Sequence, residues 1–405
     1  MEQVGISGMT GDLYITRVRP MGEAATSLTV HDGRIVAYGE AGPPGVEAID
    51  GGDAILIPGL VEAHTHLDKT LLGMGWYRNE VGPRLIDKIE NERAEKKRLG
   101  IDPARQSARQ AILSVSHGST AIRSHVDVDT EVGLSGIEGV LRTSEAFRDV
   151  VDIEIVAFPQ SGMLIRPGTV ELMEGALRLG AHVVGGLDPS AIDRDPKGHL
   201  DVIFDLAERF GVPVDIHLHE PAELGAFSME LIIERTRALG MQGQVTISHA
   251  FCLGMADQDY VAGLIDALAE AKVHILTTAP ASRPAPPVKR LLEAGVVVAA
   301  GSDGVRDTWG PYGNADMLER AVLVGLRNNF RRDDEVALAL DTCTNGGARL
   351  MGLEDYGLAP GCKADLVLLD GETLAEAVVS RAPRRIVIKG GRVVARNGQS
   401  LIEIA

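Results

Sequence analysis

Short apolar runs alternate with longer amphipathic runs between about Pro58 and Asp303, and this alternation most constrains the fold. Short apolar runs indicate buried strands, and longer runs with helical periodicity indicate helices. Strands are predicted over 55–64, 119–128, 152–160, 182–188, 214–219, 244–251, 273–279 and 296–303. Helices are predicted between them, over 103–116, 133–148, 168–180, 198–210, 227–239, 258–271 and 285–294. Eight such βα units over about 250 residues favour a closed (β/α)8 TIM-type barrel of the α/β class over an open doubly wound sheet.

The two ends of the chain have a different pattern, in which short alternating segments are joined by tight turns. Residues 12–50 contain such segments around His31-Asp32-Gly33, and residues 364–395 repeat the style around Gly390-Gly391. Hairpins from both ends most simply pair with each other. We therefore expect a small β-sandwich domain formed by residues 1–54 and 355–405, and a catalytic barrel formed by residues 55–354.

The amino-acid composition favours a small molecule over nucleic acid or a membrane surface as the binding partner. The 405 residues include 40 Lys and Arg against 57 Asp and Glu, and the net charge of -17 disfavours nucleic acid or an anionic membrane as the partner. Three scattered cysteines suit a reducing compartment, and neither a signal peptide nor a membrane-spanning run is evident. We expect a cytoplasmic homo-oligomer that binds a small molecule.

The residues at the predicted strand ends indicate a metal site. His64 and His66 end the first strand, and side chains two apart on a strand lie on the same face. A bare pair of this kind could be hydrogen-bonded core histidines, but His217, His249 and Asp303 end other strands. The carboxyl ends of barrel strands converge at one mouth, which gives a metal its several ligands. Nitrogen and carboxylate donors without thiolate favour one divalent ion per chain, with zinc preferred and iron or manganese as alternatives.

Proton transfer is expected from the residues that follow the fifth strand. His217 is assigned to the metal, which leaves His219 or Glu220 as the shuttle. A carboxylate beside a hydrated metal is the favoured choice, although Glu220 could instead be a solvated loop acid. Asp303 can bind the metal and also hold a proton from its water.

Three further residues near the mouth are candidates for substrate contact. Lys69 follows His66 by three residues and is either a solvated lysine or a substrate contact. Trp309 and Tyr312 lie in the loop after Asp303 and could form an aromatic wall for a planar ring or simply anchor the loop.

The second predicted strand carries alternating polar residues that share one face: Arg123, His125, Asp127 and Asp129. This pattern predicts an ion-pair layer below the site.

Motifs along almost the whole chain resemble the amidohydrolase superfamily, and within it the branch of cytosine deaminase and N-isopropylammelide isopropylamidohydrolase. The segments that carry this resemblance are Pro58–Lys69, Ser124–Val128, Ala157–Gln160, Gly185–Pro189, Ser248–Ala250, Ser302–Gly313 and Gly361–Val367. The resemblance implies hydrolysis by metal-bound hydroxide, with release of ammonia or a small amine from an aminated pyrimidine-like or triazine-like heterocycle. The implied site residues are His64, His66, His217 and Asp303 for the metal, His249 beside the hydroxide, His219 or Glu220 as shuttle, and Gln160 and Asp188 for the substrate.

The chain departs from the cytosine deaminases at one informative position. They carry a second Asp directly after the metal-binding Asp, and this chain has Gly304 there. Lys69 and His219 match the isopropylammelide enzymes, whereas Glu220 follows the cytosine deaminases. We expect cytosine to be a poor substrate and an oxo-substituted aminoheterocycle to be a better one.

Two alternatives remain to be tested. Ring-opening amidohydrolases such as hydantoinases and dihydroorotases generally use two metals bridged by a carboxylated lysine after the fourth strand. The corresponding run here, Val183–Asp188, contains no lysine. A non-catalytic barrel scaffold is disfavoured because every expected ligand is present.

Overall fold

The computed structural model describes residues 11–402, so residues 1–10 and 403–405 of the predicted terminal domain lie outside the described residues. The strands, in chain order, are β1 (Leu13–Pro20), β2 (Thr26–His31), β3 (Arg34–Tyr38), β4 (Ala48–Pro58), β5 (Leu60–Thr65), β6 (Ser119–Asp127), β7 (Asp152–Phe158), β8 (Val183–Leu187), β9 (Val214–His217), β10 (Val245–Ser248), β11 (His274–Thr277), β12 (Val298–Ala300), β13 (Leu366–Leu369), β14 (Arg384–Lys389), β15 (Arg392–Arg396) and β16 (Gln399–Ser400). The helices are α1 (Leu85–Leu99), α2 (Pro103–Ser116), α3 (Ser135–Ala146), α4 (Thr169–Leu179), α5 (Pro196–Phe210), α6 (Ala222–Ala238), α7 (Gln258–Glu270), α8 (Val288–Glu293), α9 (Met317–Arg327), α10 (Asp333–Thr342), α11 (Asn345–Leu350) and α12 (Leu374–Val379).

Strands β5 to β12 form the predicted barrel. Each strand pairs in parallel with the next one along the chain, and the parallel bridge between Thr65 and Asp303 brings the last strand back to the first. The Asp303 amide donates a hydrogen bond of 2.9 Å to the His64 carbonyl at this closure. The expected (β/α)8 barrel is therefore confirmed.

Alternation along β6 illustrates how the sequence builds the barrel wall. All nine residues of this strand are buried. Ile122 and Val126 belong to the large core between the strands and the helices, whereas the polar side chains alternate with them. Polar residues on the inner face and apolar residues on the outer face are what a barrel strand covered by helices requires.

The second sheet is built from both ends of the described chain. Its strand order is β16-β15-β14-β13-β4-β1-β2-β3, and β4 pairs with β13 where the two ends of the chain meet. Side chains from both ends, including Ile15, Leu56, Leu368 and Ile388, share one core. The predicted small β-unit from the two termini is confirmed, and its strands form one continuous hydrogen-bonded sheet.

The predicted first strand, 55–64, is wrong as a single element. Residues 55–58 belong to β4 and pair with β13, and only Leu60–Thr65 joins the barrel. Gly59 separates the two strands where the chain passes close to β6, since a Cβ at Gly59 would lie 2.1 Å from Thr120 Oγ1. The bounds of the two domains stay a prediction, and β4 carries the terminal sheet beyond residue 54.

None of the helices in residues 11–402 is long and apolar enough to cross a bilayer.

Candidate active site

Five predicted residues converge at the carboxyl ends of four barrel strands, and we call them the histidine cluster: His64, His66, His217, His249 and Asp303. The ring centroids of His64 and His217 lie 4.5 Å apart, and both lie 4.9 Å from that of His249. Candidate ligand atoms of His64, His217 and His249 fall within 4.8 Å of one another, as do those of His64, His66 and Asp303. The structure thus brings together every residue predicted to surround the metal.

Hydrogen bonds orient two of these rings and leave nitrogens free. His64 Nδ1 lies 3.1 Å from Ser248 Oγ, and His66 Nδ1 lies 2.9 Å from the His125 carbonyl oxygen. Within the described chain, His64 Nε2, both ring nitrogens of His217 and His249 Nε2 are buried without a hydrogen-bond partner. Buried polar atoms normally have partners, so this set fits a metal ion.

The electrostatics of the histidine cluster also suit a cation. Burial lowers the pKa of both His64 and His217 well below the usual value for histidine, and it lowers the pKa of His249 to about 3. Burial raises the pKa of Asp303, but its hydrogen bond to His66 and the nearby histidines outweigh this, and the net pKa is well below normal. Neutral imidazoles and an ionised carboxylate are the forms that bind a metal.

His219 and Asp188 form a pair beside the histidine cluster. Asp188 follows β8 and accepts hydrogen bonds from the His219 backbone amide at 2.6 Å and from His219 Nδ1 at 2.8 Å. The His219 ring lies 4.2 Å from the His249 ring, measured between centroids. Burial lowers the pKa of His219, but the Asp188 carboxylate outweighs this and the net pKa is raised. Asp188, predicted to contact the substrate, is fully buried beneath His219.

Glu220, the other predicted shuttle, has both carboxylate oxygens engaged. Glu220 Oε1 accepts hydrogen bonds of 2.7 Å from the backbone amides of Ser190 and Ala191, and Oε2 accepts one from the Ser228 hydroxyl. The residue is only 1% exposed, and burial raises its pKa. These contacts tie β9 to the turn after β8.

A second buried polar group lies at the same mouth, and we call it the lysine cluster: Lys69, Glu92, Lys96, Asp127 and Gln160. Lys69 Nζ lies 3.1 Å from Asp127 Oδ1, 3.2 Å from Glu92 Oε2 and 2.6 Å from Gln160 Oε1. Lys96 also bonds Asp127 and lies 3.2 Å from Glu92. Burial lowers the pKa of Lys69, but Asp127 and Glu92 outweigh this and keep it charged.

The two aromatic residues predicted for the mouth behave differently. Trp309 Nε1 donates to Glu92, and Lys69 Nζ lies 5.7 Å from the Trp309 ring centroid. Tyr312 is 85% exposed, so the predicted aromatic wall does not include it.

The predicted ion-pair layer on β6 is present in part. Arg123 bonds Glu154 and Asp215, and Asp127 bonds the two lysines of the lysine cluster. The His125 ring instead packs 4.0 Å from the His64 ring, measured between centroids, and neither of its nitrogens has a hydrogen-bond partner within residues 11–402, although Nε2 lies 3.7 Å from Asp215 Oδ2.

Sequence reasoning missed the residues that α1 contributes. Glu92 and Lys96 are buried although α1 is rich in charge, and α1 itself was not predicted. The available signal was spacing, because Ile89, Glu92 and Lys96 lie at positions i, i+3 and i+7 on one helix face.

Several known proteins are similar to this chain over most of its length. A sequence model of the Amidohydrolase family matches residues 47–395. N-isopropylammelide isopropyl amidohydrolase of Pseudomonas sp. (strain ADP) is 32% identical over 358 residues, which cover 87% of this chain and 88% of the relative. The crystal structure of N-isopropylammelide isopropylaminohydrolase from Burkholderia multivorans ATCC 17616 has a TM-score of 0.93 and 51% identity, covering 97% of this chain and 100% of the other.

A third similar protein is a deaminase. The structure of 5-methylcytosine deaminase from Klebsiella pneumoniae, liganded with 5-fluorocytosine, has a TM-score of 0.84 and 29% identity, covering 97% of this chain and 99% of the other. These relatives are hydrolases and deaminases that act on C–N bonds, and the family is metal-dependent. The family model spans the whole barrel, and each of the two solved structures covers 97% of this chain. The chain belongs to the amidohydrolase family.

Proposed function

We propose that this chain is a metal-dependent hydrolase that releases a small amine or ammonia from an oxo-substituted aminoheterocycle, with N-isopropylammelide as the first substrate to test. The observation that carries the proposal is the set of buried, unpartnered ring nitrogens on His64, His217 and His249 beside Asp303. The 51% identity to the B. multivorans enzyme supports the choice of substrate.

Four residues would hold the metal: His64, His66, His217 and Asp303. Their neutral nitrogens and ionised carboxylate suit zinc, with iron or manganese as alternatives. A divalent metal at such a site supplies a hydrolytic nucleophile by lowering the pKa of water towards about 7. One ion per chain is proposed because β8, Val183–Leu187, offers no lysine to bridge a second.

Proton transfer is assigned to the side chains around the histidine cluster. The ionised Asp303 carboxylate accepts a proton from the attacking water, and the free Nε2 of His249 can hydrogen-bond the attacking oxygen. Protonated His219, held by Asp188, donates a proton to the leaving nitrogen. The C–N bond breaks, the water's hydroxyl stays on the ring carbon, and the amine leaves with the proton from His219. The proton that Asp303 took from the water then returns to His219, so one water is consumed for each amine released.

His219 is proposed as the shuttle rather than Glu220. Both oxygens of Glu220 already accept hydrogen bonds, whereas the His219 side chain is 23% exposed and packs against His249. Glu220 is proposed to position the turn that carries Asp188.

The lysine cluster supports recognition of a carbonyl group on the substrate. Gln160 Oε1 accepts a hydrogen bond from Lys69, which leaves the Gln160 amide N–H groups to donate. Lys69 is only 3% exposed, so it would orient Gln160 and not contact the substrate itself. Trp309 would act less directly, because its indole N–H donates to Glu92, a partner of Lys69.

The cellular setting is proposed from composition. Cys252, Cys343 and Cys362 are all unpaired, and the net charge of -17 disfavours nucleic acid as a partner. We propose that the enzyme works in the cytoplasm as a homo-oligomer.

The test measures release of amine or ammonia by the metal-replete enzyme from N-isopropylammelide, cytosine and 5-methylcytosine. Hydrolysis of a cyclic amide such as dihydroorotate is followed by the appearance of the ring-opened product, because ring opening releases no amine. We expect release of isopropylamine from N-isopropylammelide with the highest kcat/KM of the panel. The variant His249→Ala, purified in the same way, shows whether any activity comes from a contaminant. If cytosine is the best substrate, the assignment to oxo-substituted rings is wrong. If only the cyclic amide is hydrolysed, the ring-opening alternative is correct.

A further inference from the structure

Asp307, in the loop after β12, is a buried carboxylate with no role in the chemistry described so far. It is 6% exposed. Asp307 Oδ1 accepts hydrogen bonds from the backbone amides of Trp309, at 2.7 Å, and Gly310, at 3.1 Å. These bonds hold the loop and fix the orientation of the carboxylate. Oδ2 has no hydrogen-bond partner in the described part of the chain.

Gly304 makes room for this second oxygen. A Cβ at Gly304 would lie 2.0 Å from Asp307 Oδ2, so no larger residue fits there while Asp307 keeps its position. The Gly304 backbone does not have the positive φ that would by itself require glycine. The space beside Gly304 is thus filled by the carboxylate of Asp307, which lies three residues after Gly304 in the chain.

The position of Asp307 connects it to both polar clusters at the mouth. Its loop neighbour Trp309 donates to Glu92, and the Trp309 ring centroid lies 5.7 Å from Lys69 Nζ; Asp303 of the histidine cluster lies four residues earlier in the chain. Asp307 also lines a small cleft between the loop after β12 and the segment after β5, with Leu71, Trp76, Arg306 and Pro311. Gly304 directly follows Asp303, so Asp307 Oδ2 lies at the end of the strand that leads into the histidine cluster.

We propose that Asp307 is a specificity-determining residue whose Oδ2 accepts a hydrogen bond from a ring N–H of the substrate. This inference rests on the proposed function and adds the class of ring. Gln160 offers N–H donors and Asp307 offers an acceptor, a pair that matches a ring in which a carbonyl group lies next to an N–H. A ring with alkylated nitrogens lacks the donor and leaves the buried carboxylate unpaired.

The first test is equilibrium binding of cyanuric acid, which carries carbonyl and N–H groups but no amine to release. Asp307→Asn keeps the oxygen that accepts from the loop amides and removes the free acceptor. We expect it to weaken binding of cyanuric acid by at least about tenfold, the cost of one hydrogen bond to a ligand. Its metal content and melting temperature should match those of the wild type. Gly304→Ala should weaken binding similarly, because its Cβ displaces Oδ2.

The matched control is Asp102→Asn, because Asp102 is also a carboxylate that accepts two backbone N–H bonds, at the start of α2. It should bind cyanuric acid as the wild type does. The inference is overturned if Asp307→Asn binds cyanuric acid with wild-type affinity, or if the wild type does not bind it. It is also overturned if weaker binding comes only with a lost metal or a lowered melting temperature. If the wild type binds cyanuric acid but releases no amine from N-isopropylammelide, cytosine or 5-methylcytosine, the proposed function is contradicted and this inference stays intact.

Discussion

The histidine cluster and the lysine cluster lie side by side at the barrel mouth, and they differ in how their polar atoms are satisfied. In the lysine cluster the two ammonium groups contact two carboxylates and an amide oxygen. In the histidine cluster several buried ring nitrogens have no partner in the described residues. The four histidines of one cluster and all five residues of the other are almost completely buried, and only the Asp303 side chain, at 41%, is substantially exposed. Burial alone therefore does not separate the two clusters.

This difference indicates that the histidine cluster, and not the lysine cluster, binds a ligand. A buried polar atom without a partner costs free energy, and natural proteins keep such atoms mainly where a ligand or ion completes the bonding. A paired buried cluster is costly to disrupt because removing one charge leaves another unpaired. The histidine cluster should therefore govern metal binding and turnover, and the lysine cluster should govern stability and the orientation of Gln160.

The sharpest way to break this contrast is to remove one ligand of the histidine cluster. His217→Ala should lose the metal and lower kcat by more than about a thousandfold, since metal activation supplies several kcal/mol to hydrolysis. Elemental analysis and amine release check both effects. His31→Ala is the control, because His31 is exposed and pairs with Asp12 in the terminal sheet, away from the barrel. A His217→Ala enzyme that keeps its metal would remove His217 from the ligand set.

The same contrast between free and engaged groups separates His219 from Glu220. His219→Asn should lower kcat by about a hundredfold or more, the range for a lost general acid, with metal content unchanged. Glu220→Gln should lower kcat by less than about tenfold, because the Glu220 carboxylate is bonded to two backbone amides and a hydroxyl and not to a reacting group. Steady-state kinetics with metal analysis decide the matter. The reverse order of effects would make Glu220 the shuttle, as the sequence pattern favoured.

Removing a charge from the lysine cluster should change stability instead. Lys96→Met leaves Glu92 and Asp127 with one buried ammonium partner in place of two, and we expect a loss of about 3 kcal/mol in the free energy of unfolding. Metal content should be unchanged. Lys97→Met, its exposed neighbour on α1, should lie within about 0.5 kcal/mol of the wild type. Equal effects for the two variants in denaturant titrations would mean that the buried pairing contributes nothing.

The smallest effect is expected at Tyr312. Because its side chain is 85% exposed, Tyr312→Ala should change kcat/KM by less than about threefold and stability by less than about 0.5 kcal/mol. Kinetics on the best substrate check this. A large rise in KM would show that Tyr312 turns inward when substrate binds.

The barrel and the histidine cluster were predictable because local patterns encode them. All eight barrel strands lie within or close to their predicted ranges, and strand periodicity alone puts His64 and His66 on one face. The split at Gly59 was missed, although Pro58-Gly59 within the run from Ile55 to Val61 is a turn signal, and the run supplies strands of two different sheets. Which sheet a residue joins depends on long-range pairing that the local pattern does not contain.

The lysine cluster and Asp307 show the same limit for the site. Lys69 looked like a mouth residue, but its environment is set by Glu92 and Lys96 on α1, which packs there only in the folded chain. Gly304 suggested a missing carboxylate, whereas the structure fills the space with the carboxylate of Asp307. Partners that come from distant segments or from across a turn leave no periodic signal.

The central claim is that the histidine cluster binds one metal ion per chain and that this ion is required for amine release. Metal-free enzyme titrated with zinc, with amine release from N-isopropylammelide measured at every step, tests it most directly. Activity should rise linearly and reach its plateau at about one zinc per chain, as expected for a mononuclear catalytic site. Full activity of the metal-free enzyme, or a plateau that requires two ions per chain, would contradict the account.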